Sequence, residues 1–102
     1  MLLINPADVP ALLQSKKIDF IDVRERDEFA AGRPAGSRNL PLSEIETWAP
    51  TLDKAATYVM TCRSGRRSGK AAERLLKLGV KQVSNLDGGI LAWEKAGLKV
   101  EK

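Results

Sequence analysis

The one cysteine of the chain stands among arginines, in the stretch TCRSGRRSGK at residues 61–70. Three arginines follow Cys62 within five residues, with a serine and a glycine between them. The chain contains no histidine, so the paired cysteine and imidazole of cysteine proteases cannot be built. If this thiol reacts, its surroundings must ionise it without a general base.

The elements on either side of Cys62 favour ionisation. The β-branched and aromatic run TYVMT predicts a strand over 57–61, and an apolar periodicity predicts a helix over 68–78, with a tight turn at 62–67. The amides of such a turn curl around one point, and the following helix adds positive potential at its N-terminus. Gly65 permits the turn, and the guanidinium groups of Arg63, Arg66 and Arg67 add full charges. We therefore predict an acidic, nucleophilic Cys62.

Two reactions with anions suit a thiolate in this loop. One is phosphoryl or arsenate chemistry, which uses a loop of the form C-x5-R. The other is transfer of a sulfane sulfur through a cysteine persulfide. An arginine lies five residues after Cys62, at Arg67, and position 68 is a serine, so the loop is one residue shorter than C-x5-R. A smaller ring of amides suits the outer sulfur of a persulfide better than a tetrahedral oxyanion, and sulfur transfer requires no acid for the leaving group.

The elements that position this loop alternate between strands and helices, which predicts an α/β layer fold. Asn5 and Pro6 open a helical segment that Pro10 divides into two short turns. Ser43 and Glu46 have the spacing of a capping box. The strands are predicted at 2–4, 18–23, 37–40, 57–61 and 82–86, and the helical segments at 5–14, 25–32, 43–52, 68–78 and 87–97.

Three polar segments follow predicted strands: DVRE at 22–25, CRSGRR at 62–67 and LDGG at 86–89. Parallel strands joined by right-handed crossovers bring their carboxyl ends to one edge of the sheet, where ligands bind. We therefore expect these three segments to lie together. The paired glycines Gly88 and Gly89 are interpreted as structural support that permits close backbone approach, and Trp93 as a core residue.

Composition sets wider limits. The chain has 102 residues, of which 43% are hydrophobic, and a formal net charge of +4. This length predicts one domain over residues 1–102. The positive charge fits small anions or acidic surfaces, although a solvated basic surface is the simplest interpretation of charge alone. The sequence contains neither a basic run with interleaved aromatics, which would predict nucleic-acid binding, nor an apolar run of membrane length. A lone cysteine is compatible with a reducing compartment. We expect a cytoplasmic protein without metal or cofactor.

Three blocks of the sequence resemble single-domain rhodaneses, in the order and spacing of that family. They are IDVRERDEFAAGRPAGSRNLP at 21–41, CRSGRRS at 62–68 and NLDGGILAWEKAGLKV at 85–100. The first block departs from the family pattern, because Arg33-Pro34-Ala35 stands where His-Ile-Pro is usual. The resemblance implies a three-layer α/β/α fold with a central five-stranded, mainly parallel sheet. It also implies transfer of sulfur from thiosulfate to a thiophilic acceptor such as cyanide.

The resemblance further implies roles for individual residues. Cys62 carries the persulfide, and the amides of residues 63–67, which include Ser64 and Gly65, stabilise its outer sulfur. The arginines of the loop attract the sulfonate end of the donor. Arg24 either contacts substrate or braces the loop through a carboxylate, and bracing is favoured. Asp22 is expected to support the loop by accepting hydrogen bonds from its amides.

The sequence leaves alternatives open. A small phosphatase or arsenate reductase on the same fold, and a rhodanese-like binding module without catalysis, remain as competing functions. A small anionic sulfur donor is the expected partner, and thioredoxin, glutathione or a sulfur-carrier protein are candidate acceptors.

Overall fold

The computed structural model describes residues 2–102 and confirms the alternating order of strands and helices. Met1, which the predicted domain 1–102 includes, lies outside the described residues. The strands are β1 (Leu2–Ile4), β2 (Asp19–Asp22), β3 (Arg33–Pro34), β4 (Arg38–Asn39), β5 (Thr57–Thr61), β6 (Gln82–Leu86) and β7 (Val100–Glu101). The α-helices are α1 (Val9–Gln14), α2 (Arg26–Ala31), α3 (Ile45–Trp48), α4 (Arg66–Lys77) and α5 (Gly89–Lys95).

The central sheet has five parallel strands in the order β1-β6-β5-β2-β4, so the expected fold class is confirmed. Successive residues of a strand face opposite sides of the sheet, and two apolar clusters follow from this alternation. In β5, Tyr58 and Met60 join the cluster beneath α3 and α4, whereas Val59 joins the cluster beneath α1 and α5. The sheet is therefore buried on both faces between helical layers, as expected of parallel strands.

The two clusters are built from different side chains. Phe20 and Trp93 anchor the cluster beneath α5, with ring centroids 5.5 Å apart. Trp48 and Leu75 belong to the opposite cluster, so α3 and α4 are held against the other face. Trp93 is 1% exposed, and its indole N–H donates to the carbonyl of Lys99 at 2.8 Å. Its predicted role in packing is confirmed.

Several predicted details are wrong or incomplete. The helix after Cys62 begins at Arg66, not at residue 68, so two of the loop arginines lie in its first turn. The helix predicted to start at Asp87 begins at Gly89, with Gly88 at its N-cap. The first helical segment does consist of two short pieces, a 3-10 turn over Pro6–Asp8 and then α1, but Pro10 lies in the first turn of α1, where proline is tolerated.

The capping box predicted from Ser43 and Glu46 is not formed. Ser43 lies inside a 3-10 turn after Pro41, and its hydroxyl donates to Glu25 instead. A reciprocal capping box occurs at α2, where the side chains and amides of Glu25 and Glu28 bond one another. The spacing rule therefore selected the wrong segment, because Pro41 imposes a different local turn.

A small second sheet was not anticipated. It pairs β3 with β7 in antiparallel fashion and brings Pro34 opposite Val100. The amide of Ala35 donates to the carbonyl of Lys99 at 3.0 Å. The Arg33-Pro34-Ala35 segment, whose geometry the sequence left unresolved, is thus an extended segment held by the C-terminal residues.

Candidate active site

Cys62 lies where the central strand β5 ends, and its sulfur is surrounded by hydrogen-bond donors. The amide of Gly65 lies 3.1 Å from Sγ, and both the amide and the hydroxyl of Ser68 lie 3.4 Å from it. Gly65 has a φ of 101°, a left-handed conformation that few other residues adopt readily. This conformation turns the chain from the strand into α4 and directs the Gly65 amide back at the sulfur.

These donors stabilise the charged form of the thiol. Burial opposes ionisation because Cys62 is only 1% exposed, and a buried charge loses hydration. Hydrogen bonds from the Ser68 hydroxyl and from the amides of Ser68, Gly65 and Ser64 outweigh that burial and lower the pKa of Cys62. The predicted acidic thiol is therefore supported by geometry, but the cause is local hydrogen bonding more than the arginine charges invoked from the sequence.

The carbonyl side of the loop is held by α5. The amides of Ile90 and Leu91 donate to the carbonyls of Cys62 and Arg63 at 2.9 and 3.1 Å. A methyl group added at Gly89 would lie 2.6 Å from both carbonyl oxygens, so the backbones are in contact there. The structure thus shows the close approach expected at Gly89. At Gly88 an added methyl would meet the Ala92 side chain at 2.6 Å.

The guanidinium group of Arg67 binds a carboxylate. Its two terminal nitrogens lie 2.8 and 3.0 Å from the carboxylate oxygens of Glu28 on α2. The hydrogen bond to Arg67 lowers the pKa of Glu28 to about 2. This pair ties the start of α4 to α2, which positions the loop. A contact between Arg67 and the anionic sulfur donor stays a prediction.

Arg24 is a buried side chain that serves its own strand end. Its guanidinium forms hydrogen bonds with both carboxylate oxygens of Asp22 and with the carbonyl of Gly32. Asp22 also accepts the Arg24 amide. Within residues 2–102 the carboxylate of Asp22 accepts nothing from the loop amides, so that part of its predicted role is wrong. Asp22 instead holds Arg24 across the turn from β2 into α2, and a substrate contact by Arg24 stays a prediction.

The outer rim of the loop carries the remaining predicted residues. Arg63, Ser64 and Arg66 are exposed, and Gly65 is half-buried. These residues follow β5 at the carboxyl edge of the sheet, where the segments after β2, β5 and β6 meet as expected from the topology. Their roles in binding substrate stay predictions.

Sequence reasoning missed three residues that shape the site. Ser68 was treated only as a spacer, although its position in the first turn of α4 signals an amide directed at the loop. Asn85 on β6 is 5% exposed and donates to the carbonyl of Gly65 at 2.8 Å. Glu28 binds Arg67 from 39 residues away along the chain. No local signal indicated the last two, because both act across the tertiary structure.

The geometry is that of a known family. Residues 5–96 match the model of the Rhodanese-like domain, and the chain belongs to that family. A protein of Allochromatium vinosum named "Sulfurtransferase" is 32% identical over 102 residues, which cover 96% of this chain and 95% of that protein.

Solved structures agree in fold. The thiosulfate sulfurtransferase of Pseudomonas aeruginosa superposes with a TM-score of 0.88 at 30% identity, over 100% of this chain and 20% of that one. A protein of Rhodopseudomonas palustris described as "Possible Tyrosine Phosphatase" superposes with a TM-score of 0.88 at 28% identity, over 99% of this chain and 85% of that one. Against three further curated relatives, this chain spans 55%, 62% and 64% of their length.

No helix among residues 2–102 combines the length and the apolar character needed to cross a bilayer.

Proposed function

We propose that this chain is a sulfurtransferase that carries a sulfane sulfur as a persulfide on Cys62, with thiosulfate as donor and a thiophile such as cyanide as acceptor. One observation carries the proposal: the amides of Gly65 and Ser68 and the hydroxyl of Ser68 all lie within hydrogen-bond distance of the Cys62 sulfur. Membership of the rhodanese family and the name of the Allochromatium relative support sulfur transfer. Thiosulfate is supported by the name of the Pseudomonas relative.

The reaction consists of two displacements at sulfur. The Cys62 thiolate attacks the outer sulfur of thiosulfate, the sulfur–sulfur bond of the donor breaks, and sulfite leaves with the bonding electron pair. The acceptor then attacks the outer sulfur of the persulfide, and the thiolate is regenerated as thiocyanate leaves. Neither step transfers a proton, so the lack of a histidine is no obstacle. The loop amides are preorganised donors for the sulfur that bears the negative charge.

The pairing of the arginines supports an anionic donor. Five of the eight arginines form ion pairs with carboxylates. A sixth, Arg33, lies over the ring of Phe29 at 4.9 Å. Only Arg63 and Arg66 have neither kind of partner among residues 2–102, and both follow Cys62 within four residues. Guanidinium groups left without a protein partner beside a nucleophile are suited to a dianion such as thiosulfate.

The same arrangement weighs against phosphoryl transfer. Phosphoryl transfer is considered because the Rhodopseudomonas relative is described as a possible tyrosine phosphatase. A phosphatase loop directs an arginine toward the phosphoryl oxygens, whereas both terminal nitrogens of Arg67 bind the carboxylate of Glu28. The loop is also one residue shorter than C-x5-R. We therefore rank phosphatase or arsenate reductase activity below sulfur transfer, and a non-catalytic binding role below both, because the cysteine and its donors are intact.

Intact-mass spectrometry tests the proposal directly. Thiosulfate is expected to add the mass of one sulfur atom to the wild-type chain, and cyanide is expected to remove it with formation of thiocyanate. The Cys62→Ala variant is expected to remain folded by circular dichroism and to show neither change. Turnover that survives in Cys62→Ala, or a wild-type mass that thiosulfate leaves unchanged, would contradict the proposal.

A parallel assay addresses the competing functions and the acceptor. Faster turnover of a generic aryl phosphate than of thiosulfate would favour the phosphatase. With the loaded protein in hand, reduced thioredoxin, glutathione and a sulfur-carrier protein are compared as acceptors by the rate at which each removes the added mass. These acceptors are candidates of equal standing in our proposal.

A further inference from the structure

Behind the sulfur lies a buried pair of polar side chains, Ser68 and Asn85. Ser68 is 0% exposed and Asn85 is 5% exposed. The hydroxyl oxygen of Ser68 lies 2.6 Å from Oδ1 of Asn85 and 3.4 Å from Sγ of Cys62. On its other side, Nδ2 of Asn85 lies 2.8 Å from the carbonyl of Gly65. The Ser68 hydroxyl therefore lies between two hydrogen-bond acceptors, Oδ1 of Asn85 and the sulfur of Cys62 in its thiolate form.

When Cys62 is a thiolate, counting hydrogens shows that these contacts cannot all be satisfied at once. The carbonyl of Gly65 can only accept, so the amide of Asn85 must present its nitrogen there and its oxygen to Ser68. That oxygen can only accept as well, and the Ser68 hydroxyl has a single hydrogen to donate. When the hydrogen points to Asn85, Ser68 offers only a lone pair to the sulfur. When it points to the sulfur, a buried oxygen of Asn85 loses its donor, which is costly.

We propose that Asn85 is a positioning residue that competes with the sulfur of Cys62 for the Ser68 hydrogen, and thereby favours the sulfur-loaded form of the protein over the free thiolate. In the free thiolate the negative charge lies on Sγ and draws the hydrogen away from Asn85. In the persulfide the charge lies on the outer sulfur, Sγ is a neutral divalent atom and a weak acceptor, and the hydrogen returns to Asn85.

This role is separate from the second contact of Asn85. Its hydrogen bond to the Gly65 carbonyl holds the loop whether or not Ser68 has a hydroxyl, and its loss would act on the amide donors. The competition, in contrast, requires the Ser68 hydroxyl. A double-mutant cycle between Ser68 and Asn85 therefore separates the two effects, because only the competition contributes to the coupling term.

The test measures the pKa of Cys62 from the pH dependence of its alkylation by iodoacetamide in four proteins: wild type, Ser68→Ala, Asn85→Ala and the double variant. Ser68→Ala is expected to raise the pKa, because a donor to the thiolate is lost. The change in the pKa of Cys62 on Asn85→Ala is measured in wild type and in the Ser68→Ala background. It is expected to be lower in wild type by about 0.5–1 unit, the value of one ordinary hydrogen bond. A merely structural role of Asn85 would shift the pKa equally in both backgrounds.

Equal shifts in the two backgrounds, or a coupling of opposite sign, would overturn the inference. Thermal unfolding followed by circular dichroism checks that each variant is folded. If Asn85→Ala does not fold, Asn85→Leu, which fills the same volume without a hydrogen-bonding group, takes its place in the cycle.

The expected preference for the loaded form rests on the proposed sulfur transfer, but the measurement of the Cys62 pKa does not. Alkylation reports the competition even in a protein that never accepts sulfur, so failure of the two ideas is distinguishable. Where thiosulfate loads the wild type, Asn85→Ala is expected to show a several-fold smaller ratio of loaded to free protein at fixed thiosulfate and sulfite. An unchanged or larger ratio would contradict the preference for the loaded form.

Discussion

Replacing Gly89 by alanine is the sharpest single perturbation of the loop, because it acts on the backbone without removing a functional side chain. The added methyl group would lie 2.6 Å from the carbonyl oxygens of both Cys62 and Arg63. Each carbonyl must retreat by at least 0.4 Å to reach 3.0 Å, a distance below which such contacts essentially do not occur. The movement strains the hydrogen bonds that these carbonyls accept from Ile90 and Leu91.

The magnitude follows from three contributions. Gly89 has a φ of 60°, and alanine in this left-handed conformation costs about 1–2 kcal/mol. Weakening two backbone hydrogen bonds adds about 1 kcal/mol each. We therefore expect Gly89→Ala to lower the free energy of unfolding by about 3–4 kcal/mol. Because the peptide groups after Cys62 turn with their carbonyls, the amide donors should move and the rate of sulfur transfer should fall about ten-fold or more.

Gly97 supplies the matched control. Its φ is 75°, but an added methyl group would have nothing within 4 Å. Gly97→Ala should therefore lower the free energy of unfolding by only about 1–2 kcal/mol and leave sulfur loading unchanged. Denaturant unfolding measures the stabilities, and intact mass after a thiosulfate pulse measures loading. Equal destabilisation by the two substitutions, or normal loading kinetics in Gly89→Ala, would refute the argument that close approach at Gly89 sets the loop.

Further predictions concern the charged residues around the loop. Because its pKa in the folded state lies near 2, below the unfolded value, Glu28 stabilises the fold above about pH 4.5, and this contribution is lost as the pH falls toward about 2. The difference in the free energy of unfolding between wild type and Glu28→Gln should thus shrink as the pH falls from about 6 to about 2.5. Since Glu28 is one-third exposed, this difference should stay below about 1 kcal/mol. A difference that does not depend on pH would argue against the Arg67 pair as its cause. Arg67→Ala should slow thiosulfate use by releasing the start of α4 from α2, and unchanged steady-state kinetics would assign the pair to stability alone. Arg66→Ala should raise the KM for thiosulfate several-fold and reduce its dependence on salt, whereas Arg74→Ala, which removes the same charge from an ion pair farther along α4, should not; equal effects would indicate net charge instead of a local contact.

Prediction from the sequence succeeded where the signals are local. The apolar run at 57–61 and the periodicity after it placed Cys62 between a strand and a helix, and the structure confirms that placement. It failed by two residues at the start of α4, since Arg66 and Arg67 carry no local signal of where a helix begins after a glycine. It also failed at Ser43, where spacing alone suggested a cap. Helix ends depend on which amides find partners, and that is decided by neighbouring segments.

The partners of the charged residues show the limit most clearly. Asp22 and Arg24 are two residues apart, yet the sequence did not identify which carboxylate Arg24 binds. The Arg67 pair with Glu28 spans 39 residues, and nothing in either local sequence favours it. The sequence identified Arg67 as part of the loop, but not the direction in which its side chain points.

The amino-acid sequence by itself determined the candidate nucleophile and its local setting: one cysteine without histidine, followed by a glycine and arginines, between a strand and a helix in an α/β order. Those features are local, because strand, turn and helix signals and covalent spacing act over a few residues. The tertiary structure alone decided which donors reach the sulfur, which arginines have no partner among residues 2–102, and that Asn85 contacts Ser68. Each of those depends on groups brought together from separate elements, and only the packing of the sheet and helices fixes such distances.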